Sequence, residues 1–259
     1  MKVSIIGAGN MGGAIARALA PSQLYSVAVA NPSHPKLDAI ASEYPGVKTT
    51  TDNLEAAAGA DIVILAVKPW LIAEVLQQLK PCLAESRATV VSLAGGVSLD
   101  ALDSMLALDG TPICRVIPDT ALSVGKSMTF IASRRADNNT LDSIVKMFGT
   151  MGEVDVIEER LMDAATAISS CGIAYVYKFI QACVQAGVEL GFKPADALRY
   201  VCATVDGAAA MLSQPDAAPQ TEIDKVTTPG GMTIKGINSL EHNGFTSAVI
   251  NAILAPVKK

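Results

Sequence analysis

Two short stretches carry residue types whose spacing can do chemistry. The first, Gly7-Ala8-Gly9-Asn10-Met11-Gly12, has the form G-x-G-x-x-G. It follows the β-rich run Lys2-Val3-Ser4-Ile5-Ile6 and opens the helical run Ala14 to Leu19. Between a strand and a helix this is a dinucleotide-binding fingerprint. Gly7 permits a tight turn, Gly9 lets a pyrophosphate approach the backbone, and Gly12 lets the helix pack on the sheet. The helix start then offers free N–H groups and positive partial charge to phosphates. The plainer alternative is a glycine turn with no ligand. The second stretch is Val226-Thr227-Thr228-Pro229-Gly230-Gly231-Met232-Thr233. Ile234, Ile237 and Leu240 after it make one apolar face, and Asn243-Gly244 is a helix stop, so a helix begins near Met232 or Thr233. Gly230-Gly231 should leave N–H groups bare at its positive end, an anion site for a carboxylate or phosphate, with Thr227, Thr228 and Thr233 adding hydroxyls. A capped helix after an ordinary loop is the alternative.

Other residues fit the dinucleotide. An NAD-preferring site would carry Asp or Glu at the end of the second strand. Here stands Asn31-Pro32-Ser33-His34-Pro35-Lys36, with no acid before Asp38. A 2′-phosphate would meet amide, hydroxyl and cation there and no repulsion. The expectation is NADP(H) in preference, with NAD(H) acceptable, and Asn31, Ser33 and Lys36 near the phosphate. Ala66-Val67-Lys68-Pro69 ends a central strand at its carboxyl edge, where ligands bind in such sheets, and its backbone could line the nicotinamide ribose. Lys68 itself reads as a solvated strand-end lysine rather than a catalytic one. Ala94 and Gly95, after the next strand, are small enough for close approach of the nicotinamide. Asn53 is either a further contact or a helix cap.

These residues need a scaffold, and the first half of the chain supplies strands alternating with helices. Strands are expected at 2–6, 27–30, 47–50, 61–67, 89–93, 112–116, 128–132 and 153–156. Helices are expected at 14–19, 37–43, 54–58, 71–79 and 140–148. Strands separated by short helices imply an α/β domain with a doubly wound, mainly parallel Rossmann-type sheet. After about Val156 the pattern becomes all-helical: a proline-free apolar segment from Glu159 to Leu190, helices over 196–212 and 221–226, and two short helices after the quoted loop. The expected domains are 1–157, dinucleotide-binding, and 158–259, helical, for dimerisation and substrate.

Composition narrows the functions. The chain has 259 residues and a net charge of -5, with basic residues scattered, which gives no reason to expect nucleic acid or a membrane surface. Its five cysteines form no CxxC pair and there are only two histidines, so metal and disulfide frameworks are not expected. Spread cysteines without a signal peptide read as cytoplasmic thiols. Mean hydropathy is +0.37 although aromatics are only 4%. No uncharged apolar run reaches the roughly 18 residues of a spanning helix. The surplus is therefore expected between subunits rather than in lipid.

The Pro-Gly-Gly loop, with Leu240-Glu241-His242-Asn243-Gly244-Phe245 after it, resembles the C-terminal motif of pyrroline-5-carboxylate reductases. Ile6 to Gly12 and Ala66-Val67-Lys68-Pro69 resemble that family's cofactor motifs, and Ala167 to Leu190 its dimer-forming helix. The resemblance covers nearly the whole chain. It departs at Asp119, in Arg115-Val116-Ile117-Pro118-Asp119-Thr120-Ala121, where the family usually has an amide. It departs again in Ser169-Ser170-Cys171-Gly172-Ile173-Ala174-Tyr175, against S-G-S-G-P-A-Y, and at Met232, where a small residue or threonine is usual. The resemblance implies the last step of proline biosynthesis, NAD(P)H-dependent reduction of 1-pyrroline-5-carboxylate to L-proline. It implies that Thr228, Gly230, Gly231, Met232 and Thr233 bind the substrate, with Thr233, against the ring nitrogen, as the catalytic residue. It further implies a homodimer with the substrate pocket between subunits, and a decamer, a pentamer of dimers, as the larger assembly. Two other functions fit the first half: a β-hydroxyacid-type dehydrogenase, and a non-catalytic dinucleotide-sensing module.

Overall fold

The computed structural model describes residues 1–257. Strands and helices alternate from the start: β1 (Lys2–Ile6), α1 (Asn10–Leu19), β2 (Ser26–Ala30), α2 (His34–Glu43), β3 (Lys48–Thr50), α3 (Asn53–Ala57) and β4 (Ile62–Leu65). The series continues with α4 (Ile72–Ser86), β5 (Thr89–Ser92), α5 (Leu99–Leu106), β6 (Ile113–Ile117), β7 (Ser127–Arg134), α6 (Asn138–Gly149) and β8 (Gly152–Val156). The eight strands form one sheet in the order β3-β2-β1-β4-β5-β6-β7-β8. Alternate residues of the central strands feed two apolar layers. Val3, Ile5, Ile62 and Ile64 pack with Ile15 and Leu19 of α1, Ile40 of α2 and Phe148 of α6. Ile6, Val63 and Leu65 pack on the other face with Ala56 of α3, Leu76 and Leu79 of α4 and Leu102 of α5. A strand covered on both faces must be apolar at every position, which is why Ile62–Leu65 does not alternate with polar residues.

Three differences from the sequence-based expectation have physical causes. β7 runs antiparallel to β6. The connection between them holds one short 3-10 turn, Thr120–Val124, and is too short for the crossover helix that a parallel neighbour requires. α4 runs through Pro81 to Ser86 instead of stopping near Leu79. Proline costs the helix one backbone hydrogen bond, but continuation buries Leu83 fully against the sheet. Helix α5 was not expected. Its signal is Ser98, whose hydroxyl accepts from the Ala101 N–H (3.1 Å), followed by Leu99, Leu102 and Leu106 at helical spacing.

A helical turn at Glu159–Leu161, α7 (Met162–Ala165) and a π-helical turn at Thr166–Ser170 lead into the second half. The chain forms two compact units, Met1–Ser170 and Cys171–Lys259. The second contains α8 (Gly172–Glu189), α9 (Pro194–Leu212), α10 (Pro219–Val226), α11 (Met232–His242) and α12 (Phe245–Leu254). Within it α8 packs on α9, with Gly187 tight against Ala197, and Tyr175 of α8 donates to the Ala252 carbonyl of α12 (3.0 Å). The helical run Glu159–Glu189 is long and apolar enough, by length and composition alone, to cross a membrane. It escaped the sequence criterion because Lys178 interrupts its longest uncharged stretch.

Arg135, just beyond β7, grips Asp103 of α5 through Nη1 (3.1 Å) and Nη2, and Arg134 adds a bond at 3.2 Å. The Arg135 hydrogen bonds, with that of Arg134, hold the Asp103 carboxyl below its ordinary value near 3.8. The folded state therefore takes up this proton less readily than the unfolded one. The resulting stability is present above the ordinary value and is lost as pH falls through the lower, folded value. We expect the urea midpoint to fall with acid in that range, and Asp103→Asn to flatten that part of the profile. An unchanged profile in the variant would contradict the assignment.

Candidate functional site

β1 lies between β2 and β4, so the turn leaving it stands where helices pass to opposite faces of the sheet, the usual ligand crevice of such folds. The turn is built by missing side chains. Gly7 has φ +106°, and a Cβ on it would sit 2.6 Å from the Ala66 carbonyl oxygen. A Cβ on Gly12 would run into the Gly7 carbonyl oxygen and lie 2.8 Å from the Ala66 Cβ. The first and third glycines thus bring the turn, α1 and the end of β4 into direct contact. Gly9 is different: a Cβ there would meet no atom within 4 Å. Its bare face opens onto a cleft of about 690 Å³ lined by Ala8, Gly9, Asn10, Pro35 and Lys36. α1 has no side-chain cap and no acid in its first turn, so the N–H groups of Asn10, Met11 and Gly12 are unclaimed by side chains. The cradle fits an anionic diphosphate.

The residues expected to read the 2′-position divide in two. Asn31 is buried, its Oδ1 accepting from the Ala8 N–H (3.0 Å) and its Nδ2 donating to the Ser33 carbonyl (3.2 Å). Its carboxamide braces the glycine turn instead of reaching outward. Ser33 begins α2 without a side-chain capping bond, leaving its hydroxyl free, and Lys36 lines the cleft. Arg17, which the sequence reading did not single out, lines it too, but its guanidinium is engaged by Glu43 (2.7 Å) and the Gly13 carbonyl (3.1 Å). Asn53 is not the cap of α3: Asp52 is, accepting from Leu54 N–H at 2.9 Å, while Asn53 donates to Gln78 of α4 at 2.8 Å. β4 ends at Leu65, two residues sooner than expected, because Ala66 turns against the glycine loop. Val67 is half-buried, and Lys68 and Pro69 are exposed beyond it. After β5, Ala94 is buried and Gly95 exposed.

Asp119 begins the 3-10 turn after β6 and is buried. Its carboxylate accepts from Ala121 N–H (2.7 Å), Met128 N–H (3.1 Å) and the Ser169 hydroxyl (3.1 Å). That charge is occupied in ordering the connection. Arg115 is likewise buried, donating to Asp163 at 2.8 Å with Glu159 at 3.7 Å. Cys114 is no candidate nucleophile, since burial pushes its thiol up to about 12.

In the second unit Thr228 to Gly231 forms a turn closed by Gly231 N–H donating to the Thr228 carbonyl (2.9 Å), with Gly230 at φ +71°. The Gly231 N–H is therefore committed, and the unclaimed donors begin at Met232, the first residue of α11. Gly231 matters for its missing Cβ, which would fall 2.5 Å from Thr228 Oγ1. α11 has no side-chain cap, and Met232 and Thr233 are exposed at its positive end. His242 lies in its last turn, far along the helix from the loop.

Known proteins share this arrangement. Residues 159–259 match the family model for pyrroline-5-carboxylate reductase dimerisation, and residues 2–96 that for NADP oxidoreductase, coenzyme F420-dependent. Pyrroline-5-carboxylate reductase 2 of Dictyostelium discoideum is 36% identical over 99% of this chain and 91% of its own. The Aquifex aeolicus enzyme is 35% identical over 98% and 94%. Among solved structures, Plasmodium falciparum pyrroline carboxylate reductase with NADP bound aligns with a TM-score of 0.89 at 31% identity, covering 99% of this chain and 95% of that one. A 3-hydroxyisobutyrate dehydrogenase from Mycobacterium tuberculosis aligns at 0.53 and 16%, over 74% and 66%, a likeness of fold alone.

The glycines should separate by experiment. Gly12→Ala forces a Cβ into backbone and should cost roughly 1–3 kcal/mol of stability. Gly9→Ala places its methyl in open space, so the melting temperature should hold while NADPH affinity, read by calorimetry, falls about tenfold or more. Equal affinity in Gly9→Ala and wild type would sink the role given to that face.

Proposed function

The chain belongs to the pyrroline-5-carboxylate reductase family, and we propose that it reduces the C=N bond of 1-pyrroline-5-carboxylate to give L-proline. The observation that carries this reading is the exposed Pro-Gly-Gly turn before an uncapped helix, in a chain similar to these reductases over almost its full length. NADPH supplies the hydride to the imine carbon, and the nitrogen gains one proton. The backbone N–H groups of the glycine turn and α1 suit its diphosphate, and Ser33 and Lys36 suit its 2′-phosphate. Asn31 contributes by holding the turn in shape. Ala66 to Pro69 follow β4, Ala94 and Gly95 follow β5, and these segments would supply the remaining contacts.

The substrate is a small ring with a carboxylate. The N–H groups of Met232 and Thr233 and the Thr228 hydroxyl suit that carboxylate, and the Thr233 hydroxyl would hydrogen-bond the ring nitrogen. The turn itself carries no histidine or carboxylate. Orientation of the ring, with its nitrogen fixed by one hydroxyl, is then the chain's main contribution to the rate. Thr233→Val should lower kcat by roughly tenfold, the worth of one hydrogen bond in the transition state, while leaving the Kd for NADPH unchanged. Absorbance at 340 nm and calorimetry read the two separately. Wild-type kcat in the variant would remove Thr233 from the site.

The second unit supports a homo-oligomer. Of α8, α9, α11 and α12, only Ala197 is buried in the single chain, yet these helices carry Phe179, Val188, Met211, Val249 and Ile250. Such helices need a second chain to bury their apolar sides. We assign the Glu159–Glu189 run to that interface rather than to a bilayer, the enzyme to the cytoplasm, and a pentamer of dimers to the larger assembly. Light scattering at low micromolar concentration should give a dimer or a multiple of it. A folded monomer there would contradict the assignment.

A further inference from the structure

The one tryptophan of the chain, Trp70, is 75% exposed on a short turn directly after β4. The turn is held at both ends. Leu65 before it and Ile72 after it are fully buried, and the Leu71 N–H donates to the Lys68 carbonyl (2.9 Å), which puts Trp70 at the tip. Ala66, four residues earlier, lies against both Gly7 and Gly12. The indole therefore stands on a rigid support that begins in contact with the glycine turn. Its side of the crevice follows from the helices below. Asn53, the first residue of α3, meets Gln78, six residues into α4 (2.8 Å). Both helices follow parallel strands and run the same way, so α4, which reaches this contact only after six residues, starts higher than α3. The Lys68–Leu71 turn thus rises above the start of α3, which follows β3, the neighbour of β2. The end of β2 is where the adenosine ribose is held in this fold.

We propose that the Trp70 indole is the apolar wall against which the adenine base of the cofactor stacks. The inference rests on the NADP(H) reading given above. An aromatic base buries one face on a flat partner, and such stacking is sequence- and substituent-tolerant because it uses the whole ring. Trp70 supplies a large ring at low conformational cost, since its support is already fixed. It is a binding residue and touches no reacting atom.

Because Trp70 is the only tryptophan, its emission reports on this position alone. Adenosine 2′,5′-bisphosphate carries the adenine half of the cofactor without the nicotinamide, so it cannot quench by energy transfer to a dihydronicotinamide. We expect it to quench wild-type emission saturably, and calorimetry to show its Kd raised at least fivefold in Trp70→Ala. Trp70→Phe, which keeps a stacking ring, should stay within about threefold of wild type. With NADPH, Trp70→Ala should raise KM for the cofactor, with kcat at saturating cofactor held, whereas Trp70→Phe should stay near wild type in both. Emission unmoved by the bisphosphate, with equal Kd in wild type and Trp70→Ala, overturns the proposal while NADPH binding leaves the cofactor reading standing. Quenching by oxidised nicotinamide mononucleotide instead, or emission that responds only to dilution, overturns it in favour of the other half of the crevice or a subunit contact. If wild type takes up no NADPH by calorimetry, both readings fall together.

Discussion

The first unit depends on three backbone segments approaching more closely than side chains would permit. The β1 turn, the start of α1 and the end of β4 meet where Gly7, Gly12 and Ala66 leave no room for further carbon. This contact fixes more than the turn. It ends β4 at Leu65, sends Val67 inward and Lys68 outward, and starts α1 beside the cleft with its first N–H groups unclaimed by side chains. Asn31 completes the arrangement from the other side by accepting from Ala8 N–H. The anion cradle is thus a consequence of packing, formed before any anion arrives. Preorganised donors lose little entropy on binding, so a loop of this kind needs no charged side chain to favour an anion.

The second unit obeys an opposite constraint. Its helices are apolar but too few to enclose one another: α8 has 18 residues and none is buried within the chain. An isolated set of such helices would be marginal in water. The family match over residues 159–259 to a dimerisation region gives the exposed surface its physical role. A region of this composition that dimerises would gain stability from assembly, since a partner that binds only the folded chain favours the folded state.

Much of this was legible in the sequence because local rules agreed with global ones. The glycine turn, the unalternating apolar strand expected at 61–67 and the Asn243-Gly244 stop are all set by local residues, and all are present, the strand over the shorter Ile62–Leu65. What escaped was set by partners distant in sequence. The helix expected at 71–79 continues through Pro81, because burial of Leu83 against the sheet outweighs one lost hydrogen bond. The reversal of β7 depends on the length of one connection rather than on the strand's residues. Asn31 looked like a ligand contact because amides bind phosphates; only the fold shows that its oxygen is taken by Ala8. Gly231 likewise looked like a free donor until the turn claimed its N–H.

Asp119 shows how a local departure is absorbed. A carboxylate where the resembling family usually has an amide would be unfavourable beside an anionic cofactor if it pointed there. Here it accepts three hydrogen bonds, two from backbone N–H groups and one from Ser169. An amide oxygen offers one acceptor group, and its nitrogen would oppose the Met128 N–H. The third donor is available because the chain forms a π-helical turn over Thr166–Ser170, within which Ser169 reaches both Asp119 and the Met128 carbonyl. Such turns insert one extra residue per cycle and re-aim side chains that a regular helix would direct elsewhere. The acidic residue, the serine and the irregular helix are therefore one device. It ties the β6–β7 connection to the segment leading into α8, and it keeps the negative charge turned inward among its donors.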